Sequence, residues 1–152
     1  MRRILVLGVA VSAFAIAAAG CGGGGGGSAL SKDEYSSQLN KICTELNAKN
    51  KEIGEPNSVA EVADKGPKLN DAFQNAIDEA GGLNPPDELK DAHNRFVSLG
   101  KQIHDKIDEL IQAAKDKDQA KLQKVGGEID PLNTESNDIA KNTLGAPACA
   151  QG

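Results

Sequence analysis

The sequence is poor in aromatic and in basic side chains. It has no Trp, one Tyr and three Phe, and its 17 Lys and Arg are outnumbered by 22 Asp and Glu, for a net charge of −5 at pH 7. Two of the basic residues, Arg2 and Arg3, lie at the N-terminus, so the rest of the chain is more acidic than the total indicates. Such a chain offers neither a basic surface for phosphates nor aromatic platforms for bases, so we expect no nucleic acid partner.

The sequence also lacks the short motifs of common catalytic and metal sites. His93 and His104 begin no H-E-x-x-H pattern and complete no Glu-x-x-His pair, and about 16 Å of helix would separate them. We predict that both are surface or boundary imidazoles. Neither a C-x-x-C-H haem motif nor a G-x-S-x-G nucleophile motif occurs. We therefore predict a protein without catalytic residues, metal or cofactor.

The N-terminal segment has the pattern of an export signal. Arg2 and Arg3 precede the uncharged apolar run Ile4–Ala19, which as a helix would span about 24 Å, less than a bilayer core requires. The run ends in Ala18-Ala19-Gly20-Cys21, which resembles a bacterial lipobox, although Ala18 stands where Leu is favoured. The resemblance implies cleavage before Cys21 and a diacylglyceryl group on its sulfur. The alternative is ordinary secretory cleavage after Ala19, with Cys21 left as a thiol.

The cysteine count favours lipidation. The chain has three cysteines, and an exported protein usually pairs its thiols. A lipid on Cys21 leaves Cys43 and Cys149 for one disulfide. The predicted organisation is a signal peptide over 1–20, a lipidated cysteine and flexible glycine linker over 21–30, and a folded domain over 31–152. The chain would then be anchored in the cell membrane and face away from the cytoplasm.

The folded region shows the periodicity of helices and no alternation typical of strands. Capping boxes at Ser31 and Ser58 open two helices, Pro86 suits the first turn of a third, and the charged turn at 115–118 separates the third from a fourth. The apolar phase of the second helix continues through Pro67. With short connections, these segments predict an all-α, four-helix, up-down-up-down bundle around one shared core.

This topology makes a disulfide between Cys43 and Cys149 possible. Cys43 lies about 18 Å from the start of the first helix, and the extended tail 145–149 reaches about 16 Å. The tail would therefore fold back along the first helix. A buried, unpaired Cys43 thiol is the alternative.

The segments LNKIC at 39–43, LNPPDEL at 83–89 and TLGAPACA at 143–150 resemble a group of small secreted or lipid-anchored helical proteins of actinobacteria. The resemblance covers roughly Leu30 to Ala150. It implies a bridge between the first helix and the tail, matching Cys43 and Cys149, and no assigned activity.

Asparagine is frequent on or near the apolar stripes, and its role has two interpretations. The amides fix helix register, or they line a small polar pocket; the residues are Asn40, Asn47, Asn70, Asn94, Asn133, Asn137 and Asn142. The leading functional hypothesis is a non-catalytic envelope lipoprotein that binds another envelope protein or a small ligand. The alternatives are an envelope hydrolase or metal-dependent enzyme using clustered carboxylates, and a mechanical spacer.

We expect cells fed labelled palmitate to incorporate the label into this chain at Cys21. Intact-mass analysis of the membrane-extracted protein should show an N-terminal cysteine bearing a diacylglyceryl group. A membrane-extracted protein without lipid would contradict the assignment of Cys21.

Overall fold

The computed structural model describes residues 28–150, which form an all-helical bundle without strands. The four long helices are α1 (Lys32–Ile53), α2 (Val59–Gly81), α3 (Lys90–Asp116) and α4 (Gln119–Asp138). Three short elements complete the described part of the chain: a 3₁₀ turn at Asp87–Leu89, a π-helical turn at Ile139–Thr143 and a second 3₁₀ turn at Pro147–Ala150. The predicted all-α four-helix bundle is confirmed. The signal peptide and most of the linker, including Cys21, lie outside the described residues.

The predicted starts of α1 and α2 are formed by side-chain caps, with one difference in detail, whereas α3 begins at Lys90 without a side-chain cap. Ser31 and Glu34 form the complete capping box of α1, in which each side chain accepts a hydrogen bond from the other residue's backbone. At α2, Ser58 Oγ accepts from the Glu61 amide, but the Glu61 carboxylate accepts from the Asn57 amide at 2.7 Å. α2 continues through Pro67 as one helix, as its apolar phase predicts.

Contacts between successive helices show that each runs antiparallel to the next. The start of α1 meets the end of α2, where the Leu30 amide donates to the Asn84 carbonyl at 2.9 Å. Gly66 near the start of α2 lies against Ile111 near the end of α3. Ion pairs join Arg95 to Glu135 and Lys106 to Glu128, so α3 and α4 also run in opposite directions. These contacts give the up-down-up-down order.

The fourth side of the bundle is closed by the C-terminal tail instead of by direct packing of α1 on α4. Among the described helices, α1 packs along α2, α2 along α3 and α3 along α4, whereas the turn at Pro147–Ala150 contacts both α1 and α4. Cys43 and Cys149 lie at disulfide-bonding distance, with their Cα atoms 5.0 Å apart. The tail thus folds back along α1 as predicted.

A row of polar side chains on α1 docks this tail. Ser36 Oγ donates to the Leu144 carbonyl at 2.7 Å, and Asn40 Nδ2 donates to the Gly145 carbonyl at 2.9 Å. Asn40 Oδ1 also accepts from the amide of Ala148 at 3.0 Å. Spaced at intervals of three to four residues, Ser36, Asn40 and Cys43 share one helix face. This face of α1 therefore packs against the tail and not against α4.

A cluster of buried apolar side chains lies at the end of the bundle where α1 begins. We call it the basal core; its fully buried members are Tyr35, Leu39, Ala80, Leu89, Leu144 and Ala146. Two of these residues, Leu144 and Ala146, belong to the tail, so tail docking adds apolar burial to its hydrogen bonds. None of the helices between residues 28 and 150 is long and apolar enough to cross a membrane.

Helices α2 and α3 approach closely at two glycines. A Cβ at Gly66 would lie 2.7 Å from Cγ1 of Ile111, and one at Gly100 would lie 3.1 Å from Cγ1 of Ile77. Each glycine therefore makes room for an isoleucine from the opposite helix. The α4 glycines differ, because a Cβ at Gly127 would have nothing within 4 Å among the described residues.

We expect Gly66→Ala and Gly127→Ala to change stability in opposite directions. Alanine improves helix propensity by about 0.5–1 kcal/mol at either position. At Gly66 the clash with Ile111 costs about 1–3 kcal/mol, so the free energy of unfolding should fall, whereas at Gly127 it should rise. Denaturant titrations measure both values. Equal gains at the two positions would contradict the close approach of α2 and α3.

Candidate functional site

A cavity of about 900 Å³ lies between the four helices, above the basal core. Its apolar wall consists of large side chains that the sequence assigns to a filled core, among them Leu69, Phe73, Phe96, Ile103, Ile107 and Ile129. Most of these side chains are only half-buried, because they face the cavity and not one another. The cavity therefore interrupts the one shared core at the centre of the bundle.

Amides and a hydroxyl interrupt the apolar wall on three helices. Asn47 and Asn50 come from α1, Asn70 from α2, and Asn133, Ser136 and Asn137 from α4. Two of their acceptor atoms, Asn50 Oδ1 and Asn70 Oδ1, are buried and have no hydrogen-bond partner within residues 28–150. Since buried acceptors are normally paired, these two oxygens are the most unusual polar atoms of the site.

The charged lining residues lie together at one end of the cavity. Lys51 is at the end of α1, Glu55 is in the connection to α2, and Lys65 is in the second turn of α2. Lys65 Nζ pairs with the Glu61 carboxylate at 3.5 Å. Lys51 and Glu55 are exposed, so they mark the mouth of the cavity at this end, and Asn133 of α4 is exposed as well.

The docked tail accounts for the position of the cavity. Where the tail lies along α1, up to Cys149, it fills the space between α1 and α4. The described tail reaches the Cys43–Cys149 disulfide, and within residues 28–150 α1 makes no extended contact with α4. Both cysteines line the cavity, so the disulfide forms part of its wall at that end.

The structure divides the predicted asparagines among three roles. Asn40 and Asn47 hold the tail, and Asn47 Nδ2 donates to the Ala148 carbonyl at 3.0 Å. Asn94 and Asn142 are exposed. The remaining predicted residues line the cavity together with Asn47: Asn70, Asn133 and Asn137. Asn70 fits both interpretations, because it lines the cavity and also donates to His104 and Asp108 of α3, whereas Asn133 and Asn137 fit the pocket interpretation.

The structure corrects the prediction for His93. It is buried, 5% exposed, and its Nδ1 lies 2.9 Å from the Tyr35 hydroxyl, with the two rings edge to face. Burial lowers the pKa of His93 and raises the pKa of Tyr35 to about 12. Both shifts favour the neutral forms, so we assign the Tyr35 hydroxyl as the donor to an unprotonated Nδ1. His104 is half-buried, as a boundary residue, and its carbonyl accepts from Asn70.

Carboxylates such as Glu135 and Glu128 form ion pairs between helices and do not cluster at the cavity. Arg95 binds both Glu135 oxygens, at 2.6 and 2.8 Å, and this hydrogen bonding lowers the pKa of Glu135. The hydrogen bond from Lys106 likewise lowers the pKa of Glu128. In the described part of the chain, no group of three or more His, Cys, Asp or Glu side chains could hold a metal ion.

Comparison with known proteins gives no indication of function, so the functional argument depends on the cavity. No protein-family model, no curated protein and no solved structure matches the chain.

Sequence reasoning offered a small polar pocket as one role of the asparagines, but it missed the largely apolar cavity and the position of Asn50 in its wall. The position of Asn50 could be inferred from the sequence of α1, because Asn47 and Asn50 follow Cys43 at helical spacing and so continue its buried face with amides. The apolar lining carries no comparable signal, because Phe73 and Phe96 fit a filled core equally well.

We expect the free energy of unfolding to decrease as the pH falls from 7 to 5. The pKa of His93 lies below its ordinary value of 6.5 in the folded chain, so the unfolded chain binds the proton first. The stability contributed by the neutral imidazole is complete above pH 6.5 and is lost as the pH falls towards the folded-state pKa. The lowered pKa values of Glu61, Glu128 and Glu135 start from 4.5 and act at lower pH.

The pH dependence of the native chain is compared with that of His93→Asn, whose amide keeps an acceptor for Tyr35 but does not titrate between pH 5 and 7. Denaturant titrations at pH 5, 6 and 7 should show a flatter dependence for the variant than for the native chain. Equal slopes would contradict a buried, neutral His93.

Proposed function

We propose that this protein is a non-catalytic binding protein that takes a small, largely apolar ligand into its central cavity. The observation that carries the proposal is the cavity itself. Its volume of about 900 Å³ falls within the range of roughly 300–1,000 Å³ that is usual for ligand sites. Its wall combines large apolar side chains with a few amides, the composition typical of such sites.

The lining favours binding over chemical conversion. Its polar groups are chiefly the amides of Asn47, Asn50, Asn70, Asn133 and Asn137, which donate and accept hydrogen bonds without exchanging protons. The sequence alone leaves both a protein partner and a small ligand open, and a largely apolar cavity between the helices favours the small ligand.

We further propose that a lipid on Cys21 holds the protein at the outer face of the cytoplasmic membrane, as a lipoprotein of actinobacterial type. The support is the export signal, the lipobox-like segment and the glycine linker. The linker joins the bundle at the end where α1 begins, which the basal core occupies. The mouth residues Lys51 and Glu55 lie at the other end of α1, about 30 Å away.

We expect the non-acylated Cys21→Ser chain to bind the uncharged dye Nile red in detergent-free buffer with one-to-one stoichiometry and a blue-shifted emission. The double variant Leu69→Trp/Ile129→Trp places two indoles in the cavity and should lower the affinity at least tenfold. It should remain folded, because the added volume enters existing space.

The matched control is Gln38→Trp/Gln123→Trp, which adds the same two side chains at exposed positions. It should bind the dye like the parent chain. Equal affinity of the cavity and control variants, or no dye binding by the parent, would refute the proposed function.

A further inference from the structure

The cavity continues a surface on which α1 already binds polypeptide. Asn40 Nδ2 donates to the Gly145 carbonyl at 2.9 Å, and Asn40 Oδ1 accepts from the Ala148 amide at 3.0 Å. About two helical turns further along the same face, Asn47 Nδ2 donates to the Ala148 carbonyl at 3.0 Å. Asparagine side chains on this face of α1 therefore bind the main chain of the tail.

The same face of α1 forms one edge of the cavity beside the docked tail. Asn47 lines the cavity, and so does Asn50, less than one turn further along the helix. Within residues 28–150, α1 makes no extended contact with α4, and the exposed Asn133 of α4 also lines the cavity. The cavity therefore opens to the outside between α1 and α4, next to a site where main chain is already bound.

The α4 edge of this opening carries two amides without an internal partner. Asn133 and Asn137 lie about one turn apart on α4, and both line the cavity. Neither forms a hydrogen bond within residues 28–150. Asn133 is exposed and Asn137 is half-buried, and neither belongs to the side chains with a fully buried, unpaired polar atom, which are Asn50 and Asn70. The amides on α4 are therefore within reach of a ligand that enters the opening.

The hydrogen-bonding capacity of these amides favours a peptide over a lipid chain. A ligand that covers Asn133 and Asn137 removes water from them, and a covered amide without a partner is unfavourable. An acyl chain has no group that bonds to an amide. A peptide main chain offers an N–H donor and a carbonyl acceptor at almost every residue, and an asparagine side chain binds both, as Asn40 does with the tail.

The apolar wall defines the side chains of the peptide. Helices α2 and α3 supply large apolar lining residues: Leu69, Phe73, Phe96, Ile103 and Ile107. A charged side chain among them would be buried without a counter-ion, because the charged lining residues lie at the α1–α2 end. The docked tail has the same character, since it buries Leu144 and Ala146 against the basal core. Apolar, uncharged side chains are therefore expected on the peptide.

We infer that the ligand is a short peptide segment with apolar side chains, whose main chain bonds to Asn133 and Asn137 at the opening between α1 and α4 and whose side chains enter the cavity. This inference rests on the proposed function and specifies the ligand class of the same cavity. It distinguishes a peptide from a lipid of similar apolar surface, which would leave both amides unpaired.

The test is displacement of Nile red from the Cys21→Ser chain by three uncharged probes. The first is a hexapeptide in which leucine and alanine alternate between terminal glutamines, with acetylated and amidated ends. The second is the same peptide with its four leucine and alanine nitrogens methylated, which removes those main-chain donors, and the third is methyl laurate. We expect the unmethylated peptide to bind at least about fivefold more tightly than the methylated one, the change that loss of two hydrogen bonds gives, and more tightly than methyl laurate.

A double variant assigns this preference to the α4 amides. Asn133→Leu/Asn137→Leu should bring the affinities of the two peptides to within about twofold of each other. It should remain folded, because neither amide forms a hydrogen bond within the described part of the chain. The matched control Asn75→Leu/Asn94→Leu alters two exposed asparagines that do not line the cavity, and it should keep the full difference.

The outcomes separate the two claims. Equal binding of the two peptides, tighter binding of methyl laurate than of the unmethylated peptide, or no displacement of bound dye by either peptide would overturn the ligand class and leave the cavity as a binding site. A full difference between the peptides in Asn133→Leu/Asn137→Leu would overturn the role of these amides. Failure of the dye itself to bind would refute the proposed function instead.

Discussion

The structure depends on the docking of the C-terminal tail along α1. Ser36, Asn40 and Asn47 bind backbone groups of the tail, and Cys43 pairs with Cys149 on the same helix face. This polar row could not pack against an apolar stripe of α4 without leaving its amides unsatisfied. The tail supplies the carbonyl and amide partners that the row needs. As a result, the described tail forms the fourth side of the bundle along the first half of α1, and it ends in the 3₁₀ turn at Pro147–Ala150.

The cavity follows from this arrangement. The bundle is closed below by the basal core and held together on one side by the α2–α3 contacts at Gly66 and Gly100. Between these regions the apolar stripes face a common space and not each other. Large apolar side chains that are left unpacked lower the free energy of unfolding, which is small for any protein. A bound ligand is the most direct means of covering them. Function is thus proposed where the packing is incomplete.

The helices and the return of the tail could be predicted because each depends on local chemistry or on chain length. Ser31 and Ser58 cap helices through neighbours three residues away, and the reach of the tail to Cys43 follows from residue counts. The burial of His93 was less visible, although it lies four residues after Leu89 and three before Phe96, on the apolar face. The cavity was not predictable in the same way, because periodicity shows which face of a helix turns inward but not whether the inward faces meet. Asn70 illustrates the limit: the sequence places it on the stripe, but only the fold shows that its nitrogen is used and its oxygen is not.

The central claim is that the middle of the bundle is open to an apolar guest while its base is packed. It is tested most directly by methyl-resolved NMR of the chain under increasing xenon pressure, since xenon enters apolar cavities and not packed cores. The account predicts saturable shifts at the cavity residues Leu69, Ile107 and Ile129, with Leu39 and Leu144 of the basal core unaffected. Absence of shifts at the three cavity residues, or equal shifts at all five, would contradict it.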